Sequence, residues 1–447
     1  MQTLARCLSV TPEQLQRAGP FFGVYLLLFA AMTTADAVAI SLFASRAGAA
    51  ALPKWYAITA VCSLVLISVY LLYATRVDGG RLFGVILAGM TIAWSASWAG
   101  QTYYPGPWPL GLLFVSREIS QTMVLMHFGT YLQDFFFRSE LNRVLPLIYA
   151  GGRVGGIAAG ALVSGLAQPL GTANLLLLAV GLILLAWMAI RWIARHRVFC
   201  EEEGVTLIGE GPEHAAAAWP DRQPALNARV TGFLAQVVRQ PLLRWLTITT
   251  LCFVACRWWL VYQYTAMFEA GFADEDALTQ YLGRYTQVAL GLSLILQLFL
   301  VVRLVIWQGV PRTHTIYSGL VCGGLIGNIL FTGIPMATLS RFVESELRFG
   351  LRNPVNQMLV SRFDKQTRIA VRGWSMGWLI PLGTLLVSIL ISLLVGMERS
   401  HWIPAFGIVL GLCYLASALR LGPAYQRFDE PTSHVVATSL DQVGRSK

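Results

Sequence analysis

Residues 172–194 read TANLLLLAVGLILLAWMAIRWIA, twenty-three residues with a single charge, Arg191, near one end. A bilayer core of about 30 Å is crossed by about twenty apolar residues of helix. A run this long and this apolar is read as a membrane span. Working outward from it, similar runs stand at 20–43, 53–75, 82–101, 109–133 and 144–167 before it, and at 243–268, 281–305, 313–334, 337–359, 370–395 and 402–421 after it. Within a bilayer every backbone amide must be paired inside its own segment or in a closed barrel. Runs of this length therefore predict an all-α integral membrane protein with twelve transmembrane helices. Hydrophobic residues make up 56% of the chain and charged residues 13%, which overrides the two or three soluble domains that its length alone would suggest.

The basic residues orient the chain. With a cytoplasmic N-terminus, 23 of the 33 Lys and Arg fall in inner segments, and only Arg46, Lys54, Arg284 and Arg399 fall in outer loops. That asymmetry is the positive-inside pattern, and it puts both termini in the cytoplasm. The expected location is a bacterial inner (plasma) membrane. The net charge of +10 follows from this loop bias, and no basic domain with interleaved aromatics is present to bind a nucleic acid polymer. The expected partners are a small anionic solute and the lipid bilayer, with the protein a monomer. The run from Pro20 to Phe43 exceeds the length of a signal-peptide core, so it reads as a retained helix. The seven cysteines lack metal or redox spacing, and none of them suggests a disulfide framework.

Four parts are expected: a six-helix half over 1–194, a cytoplasmic linker over 195–242, a second six-helix half over 243–422 and a disordered cytoplasmic tail over 423–447. The linker contains Glu201–Glu203 and Gly209-Glu210-Gly211-Pro212, too polar and too rich in breakers for a span. Its end places Phe233, Val237 and Val238 on one side, as in a short interfacial helix. Six spans on either side of a linker suggest a parallel repeat about an axis normal to the membrane.

Ten charges lie inside the predicted spans: Arg117, Arg153, Arg257, Arg341, Arg348 and Arg352, with Asp36, Glu118, Glu344 and Glu346. Six lipid-facing arginines would cost roughly 15–20 kcal/mol, at about 2.5–3.5 kcal/mol each. They must face partners or a wet cavity. The tenth span is the densest, because Arg341, Ser345, Arg348, Arg352 and Asn356 share one face of a regular helix. Glu344 is within one turn of Arg341 and Arg348. This stripe serves as ion-pair latches or as substrate contacts. In the seventh span Arg257 is followed by Trp258, Trp259, Tyr262, Gln263 and Tyr264. A guanidinium offers a planar fork to phosphate or carboxylate, and neighbouring rings can stack on a flat ligand. The aromatics are equally suited to packing. Asp36 reads as a partner for one arginine or as a proton carrier. Arg117 and Glu118, adjacent on a helix, diverge by about 100° and are expected to serve different partners.

The embedded charges sum to +2, which an anionic substrate would balance. The expected substrate-binding residues are Arg257, Arg348, Arg352, Arg117, Asp36, Tyr262 and Gln263. The expected gating or ion-pair residues are Arg341, Glu344, Glu346, Glu118 and Arg153. Arg153 stands in Gly151-Gly152-Arg153-Val154-Gly155-Gly156, where small residues permit close helix approach. A phosphate loop would need a following Lys-Ser/Thr and a strand before it. No catalytic residue, metal site or cofactor is expected, because His127 and His314 lack ligand neighbours in sequence and no serine stands in a nucleophile motif.

The six-plus-six organisation resembles the major facilitator superfamily, whose loop between spans two and three is echoed by Arg76-Val77-Asp78-Gly79-Gly80-Arg81. Four further stretches are similar to its ATP/ADP antiporter-like (nucleotide transporter) branch and bacterial relatives. They are Asp36 with Leu52-Pro53-Lys54-Trp55-Tyr56, Arg143-Val144-Leu145-Pro146-Leu147 leading to Gly151-Gly152, Gly232 to Leu243, and Glu346 to Pro354 leading to Arg368. Nucleotide exchangers of that branch carry membrane-embedded lysines, whereas the three Lys here, Lys54, Lys365 and Lys447, all lie outside clear spans. The resemblance implies the fold, and a secondary transporter of an anionic organic solute (nucleotide-like, phosphorylated or carboxylate) working by alternating access. A transport-inactive scaffold or sensor, and a carrier of a lipid or lipid-linked anion, are the alternative expectations.

Overall fold

The computed structural model describes residues 12–74, 76–132, 135–136, 138–195, 235–363 and 365–444. Most of the expected linker, Phe233 included, lies outside these residues. Twelve helices succeed one another, and no strand occurs among the described residues. The first six are α1 (Pro12–Leu42, running on through a π turn at Phe43–Ala47), α2 (Leu52–Tyr73), α3 (Gly79–Tyr103), α4 (Pro107–Leu132), α5 (Arg138–Leu170) and α6 (Leu175–Arg195). After α7 (Pro241–Gly271), α8 comprises Glu275–Ile295, a π turn at Leu296–Val301 and residues 302–308. Gly309, at φ 78° and ψ 166°, breaks the helix, and α9 occupies 310–330. α10 is built from Ile334–Glu344, a π turn at Arg348–Arg352 and Asn353–Ser361. α11 repeats that plan with Lys365–Trp374, a π turn at Ser375–Leu379 and Ile380–Gly396. α12 runs from Ile403 to Gly444.

Nine helices among the described residues are long and apolar enough to cross a membrane. The three that fall short, α4, α9 and α10, are rich in buried polar groups. Arg117, Ser120 and His127 lie in α4, Thr313, His314, Ser318 and Asn328 in α9, and Ser340, Arg341, Glu344, Glu346 and Arg352 in α10. Their low hydropathy results from what they hold. The apolar run in α6 divides as an amphipathic span should: Leu176, Ala179, Ile183, Ala186 and Ile190 are buried, while Leu177, Leu184, Leu185 and Met188 are exposed.

Prolines explain the irregular turns in α10 and α11. Pro354 and Pro381 each stand one residue into the helix just after a π turn. A proline cannot donate to the carbonyl four residues back and crowds it, so the preceding turn widens. At α3 the side chain of Asp78 accepts from the Arg81 amide at 3.0 Å, capping the helix. The acid of the degenerate loop motif thus has a structural task in this chain. α12 continues past Leu421, the expected end of the last span, through Pro423 to Phe428. Adding a residue to an existing helix forms one hydrogen bond for each residue fixed, so no new nucleus is needed.

The helices form two compact units. One contains the described residues up to 195 together with 265–294, and the other contains 235–264 with 295–444. The exchange of 265–294 has a visible cause within the first unit. Glu269 accepts from the Ala49 amide at 2.7 Å, Arg46 makes a two-pronged bond to Glu275 at 2.8 and 2.7 Å, and Asp276 accepts from the Thr172 amide at 2.7 Å. α1 lies along α5 at a seam of small residues. A Cβ at Gly155 would meet the Leu26 carbonyl of α1, and on another side of α5 one at Gly160 would stand 2.8 Å from the Gly283 carbonyl oxygen of α8. Helices in lipid gain little from the hydrophobic effect, so close backbone approach supplies the dispersion that holds them.

Candidate functional site

Each unit contains an internal ion cluster. In the first, Asp36 on α1 pairs through Oδ1 with Nη1 of Arg117 on α4. Nη2 of the same guanidinium donates to Glu118 Oε1 at 2.6 Å. The adjacent pair was expected to serve different partners, and the structure corrects this. An Arg side chain is long enough to curl back along its own helix, and in a low dielectric a neighbouring carboxylate outweighs the rotamer cost. The ring of Phe114 lies 5.2 Å from the Arg117 guanidinium carbon. Arg153, half-buried, lies on α5 among the seam glycines.

In the second unit Glu344 on α10 is the hub. Its Oε1 accepts from Arg257 Nε on α7 at 2.9 Å and stands 3.3 Å from Nη1 of Arg348, one turn along. The indole of Trp258 is 4.4 Å from the Arg257 guanidinium carbon, a cation–π distance. The Trp258 N–H donates to Thr384 at 2.8 Å and that of Trp259 to the Ile403 carbonyl at 2.9 Å. Both tryptophans therefore pack inward. Arg352 is buried with its guanidinium carbon 3.4 Å from the Phe253 ring centroid, and Arg341, also buried, lies 6.0 Å from that of Tyr264. Glu346 is buried and accepts from Ser345 at 2.9 Å. The single straight face expected for 341–356 is interrupted by the π turn at Arg348–Arg352. An i→i+5 turn adds a residue and rotates the remainder of the helix about its axis.

Gln263 is buried and accepts from Asn328 Nδ2 at 2.9 Å, while Asn328 Oδ1 accepts from Ser340 at 2.6 Å. Sequence reasoning missed this chain across α7, α9 and α10. Its only sequence signal is an Asn inside an apolar span, which requires a partner. Tyr262 is half-buried beside Gln263. His127 bonds Gly79 O at 2.8 Å and Tyr70 Oη at 3.2 Å, which makes it a satisfied packing residue. His314, by contrast, is buried with both ring nitrogens unbonded among the described residues.

Charge is unevenly divided. The first unit contains Asp36, Glu118, Arg117 and Arg153, which cancel formally, while the second contains Arg257, Arg341, Arg348 and Arg352 against Glu344 and Glu346. The whole surplus of two positive charges resides in the second unit. Two carboxylates cannot neutralise four guanidiniums that are mostly withdrawn from water.

The chain shares its fold, an all-helical multi-pass membrane architecture, with solved transporters. It is similar to the nucleoside transporter NupG at a TM-score of 0.59 and 13% identity, over 94% of this chain and 99% of that one. It is similar also to an auto-inhibited POT family peptide transporter at 0.62 and 13% identity, over 92% and 97%. No protein-family model matches the sequence, and no curated protein matches it.

Proposed function

We propose that this protein is a secondary transporter that moves an anionic organic solute across a bacterial inner membrane by alternating access, with both termini cytoplasmic. The carrying observation is the surplus of guanidinium over carboxylate around α7 and α10. A nucleoside transporter and a peptide transporter share the fold, which supports organic solutes as the cargo class. The nucleotide-transporter resemblance favours phosphorylated or carboxylate cargo. Arg257, Arg348 and Arg352 are assigned to the anion and Tyr262 and Gln263 to its uncharged part within the second unit, and Asp36 with Arg117 to a solute contact within the first. Arg341, Glu344, Glu346, Glu118 and Arg153 hold the ion-pair framework. The basic bias of the inner loops, 23 against four, supports the orientation.

A second reading has its own observation: Arg257 and Arg348 already share Glu344, as latches in a scaffold or sensor would. Uptake into liposomes separates the two. After a thermal-shift screen over nucleotides, phosphorylated metabolites and carboxylates, the transporter gives saturable counter-flow of the stabilising anion. Arg257→Lys keeps the charge but loses the fork, and should weaken binding about tenfold in a folded protein. Arg257→Gln should abolish binding. Unchanged affinity in both variants would leave the arginines as latches.

A further inference from the structure

A cleft of about 790 Å³ opens in the second unit where α9 begins, α10 ends and α12 passes. Gln308, Arg312, Thr315, Arg362, Tyr425 and Gln426 are its polar lining, and none of the described lining residues is Asp or Glu. Arg362 is anchored on one wall, its Nε donating to the Tyr425 hydroxyl at 2.8 Å and its guanidinium 5.2 Å from that ring. On the other side the chain turns at Gly309, whose φ of 78° directs the backbone from α8 into Pro311 and Arg312. Arg312 is exposed and makes no ion pair among the described residues. Immediately before the turn, Ile306 and Trp307 are 80% and 84% exposed.

These features belong together at a bilayer boundary. Two large apolar side chains at the end of a span are costly in water and favourable at headgroup level, where tryptophan concentrates. A cleft lined by two arginines, Arg312 and Arg362, attracts phosphate at headgroup level. We infer that the cleft seats the phosphate-bearing headgroup of an anionic lipid, with Arg312 and Arg362 on the phosphate and Ile306 and Trp307 in the upper acyl layer. Soluble phosphate shares the guanidinium chemistry but has no use for the apolar pair, which favours the lipid. The site is separate from the Glu344 cluster and stands whether or not the protein transports.

The test is a titration of the purified full chain, in phosphate-free neutral detergent, with phosphatidylglycerol, phosphatidylcholine and inorganic phosphate, monitoring the thermal midpoint. Phosphatidylglycerol should raise the midpoint, and the other two should not. Each basic group near a surface contributes about a fivefold preference for anionic lipid, so Arg312→Gln with Arg362→Gln should weaken the response on the order of thirty-fold. Arg191→Gln with Arg195→Gln, exposed on α6, should keep it. If the double variant does not fold, Arg312→Gln alone should show the fivefold loss. An unchanged response in the variants, or an equal response to phosphatidylcholine, would overturn the site. A response to inorganic phosphate that the double variant loses would overturn the lipid and install a soluble phosphate in its place.

Discussion

In the first unit an acid on α1, Asp36, meets a base on α4, Arg117; in the second a base on α7, Arg257, meets an acid on α10, Glu344. Arg117 stands ten residues beyond Pro107, the first residue of α4, and Glu344 ten beyond Ile334, the first of α10. The same places in the two halves carry a paired ion with its polarity reversed. The stoichiometry is reversed too. Among these contacts Arg117 bridges Asp36 and Glu118 in the first cluster, and Glu344 bridges Arg257 and Arg348 in the second. The architecture demands a satisfied charge at these helix contacts but leaves its sign open. A unit whose embedded charges cancel needs no counter-ion, and one with excess positive charge favours an anion.

The sharpest way to break this contrast between the clusters is to remove the hub. Glu344→Gln removes the carboxylate that Arg257 and Arg348 share, and loss of one partner of a buried pair costs about 3–5 kcal/mol. Thermal unfolding in detergent should show the largest destabilisation of any single change to either cluster. An unaltered midpoint would mean that Glu344 is not what holds Arg257 and Arg348. A smaller effect sharpens the picture of the second unit. Asn328→Ala removes the link between Gln263 and Ser340 and should cost roughly 1–2 kcal/mol, near the upper range for polar contacts between membrane helices. A cost no greater than that of an apolar truncation would remove the chain from the framework. Asp36→Asn should be mildest, about 1 kcal/mol or less. Its side chain is 35% exposed and Arg117 keeps Glu118. If Asp36→Asn destabilises as much as Glu344→Gln, the two clusters are equivalent and the contrast between them fails.

Elements set by lipid were legible in the sequence. Nine spans among the described residues follow from unbroken apolarity, and the Glu344–Arg348 pair follows from spacing within one helix. Asp36 reads from the sequence as an arginine partner or a proton carrier, and nothing local to the chain names Arg117, 81 positions away, as the base it meets. The Gln263–Asn328–Ser340 chain was hidden for the same reason: its members are polar in their own spans, and their meeting is a property of packing. Pro354 foreshadows the widened turn of α10, yet a face drawn on a regular helix cannot include the extra residue. Adjacency misled at Arg117 and Glu118, where helix geometry places the Cα–Cβ bonds and not the ends of long side chains.

The seam between α1 and α5 has a consequence for how the sequence can drift. Where a Cβ at Gly155 would strike the Leu26 carbonyl, even alanine must push two backbones apart. Val154, the preceding residue, is 46% exposed and accepts most apolar replacements. Along α5, mutational freedom therefore alternates within a single residue step, and a library randomised across 151–160 would return two populations of positions. The joint works as an engineering tolerance: the part that must not vary is the part with no side chain.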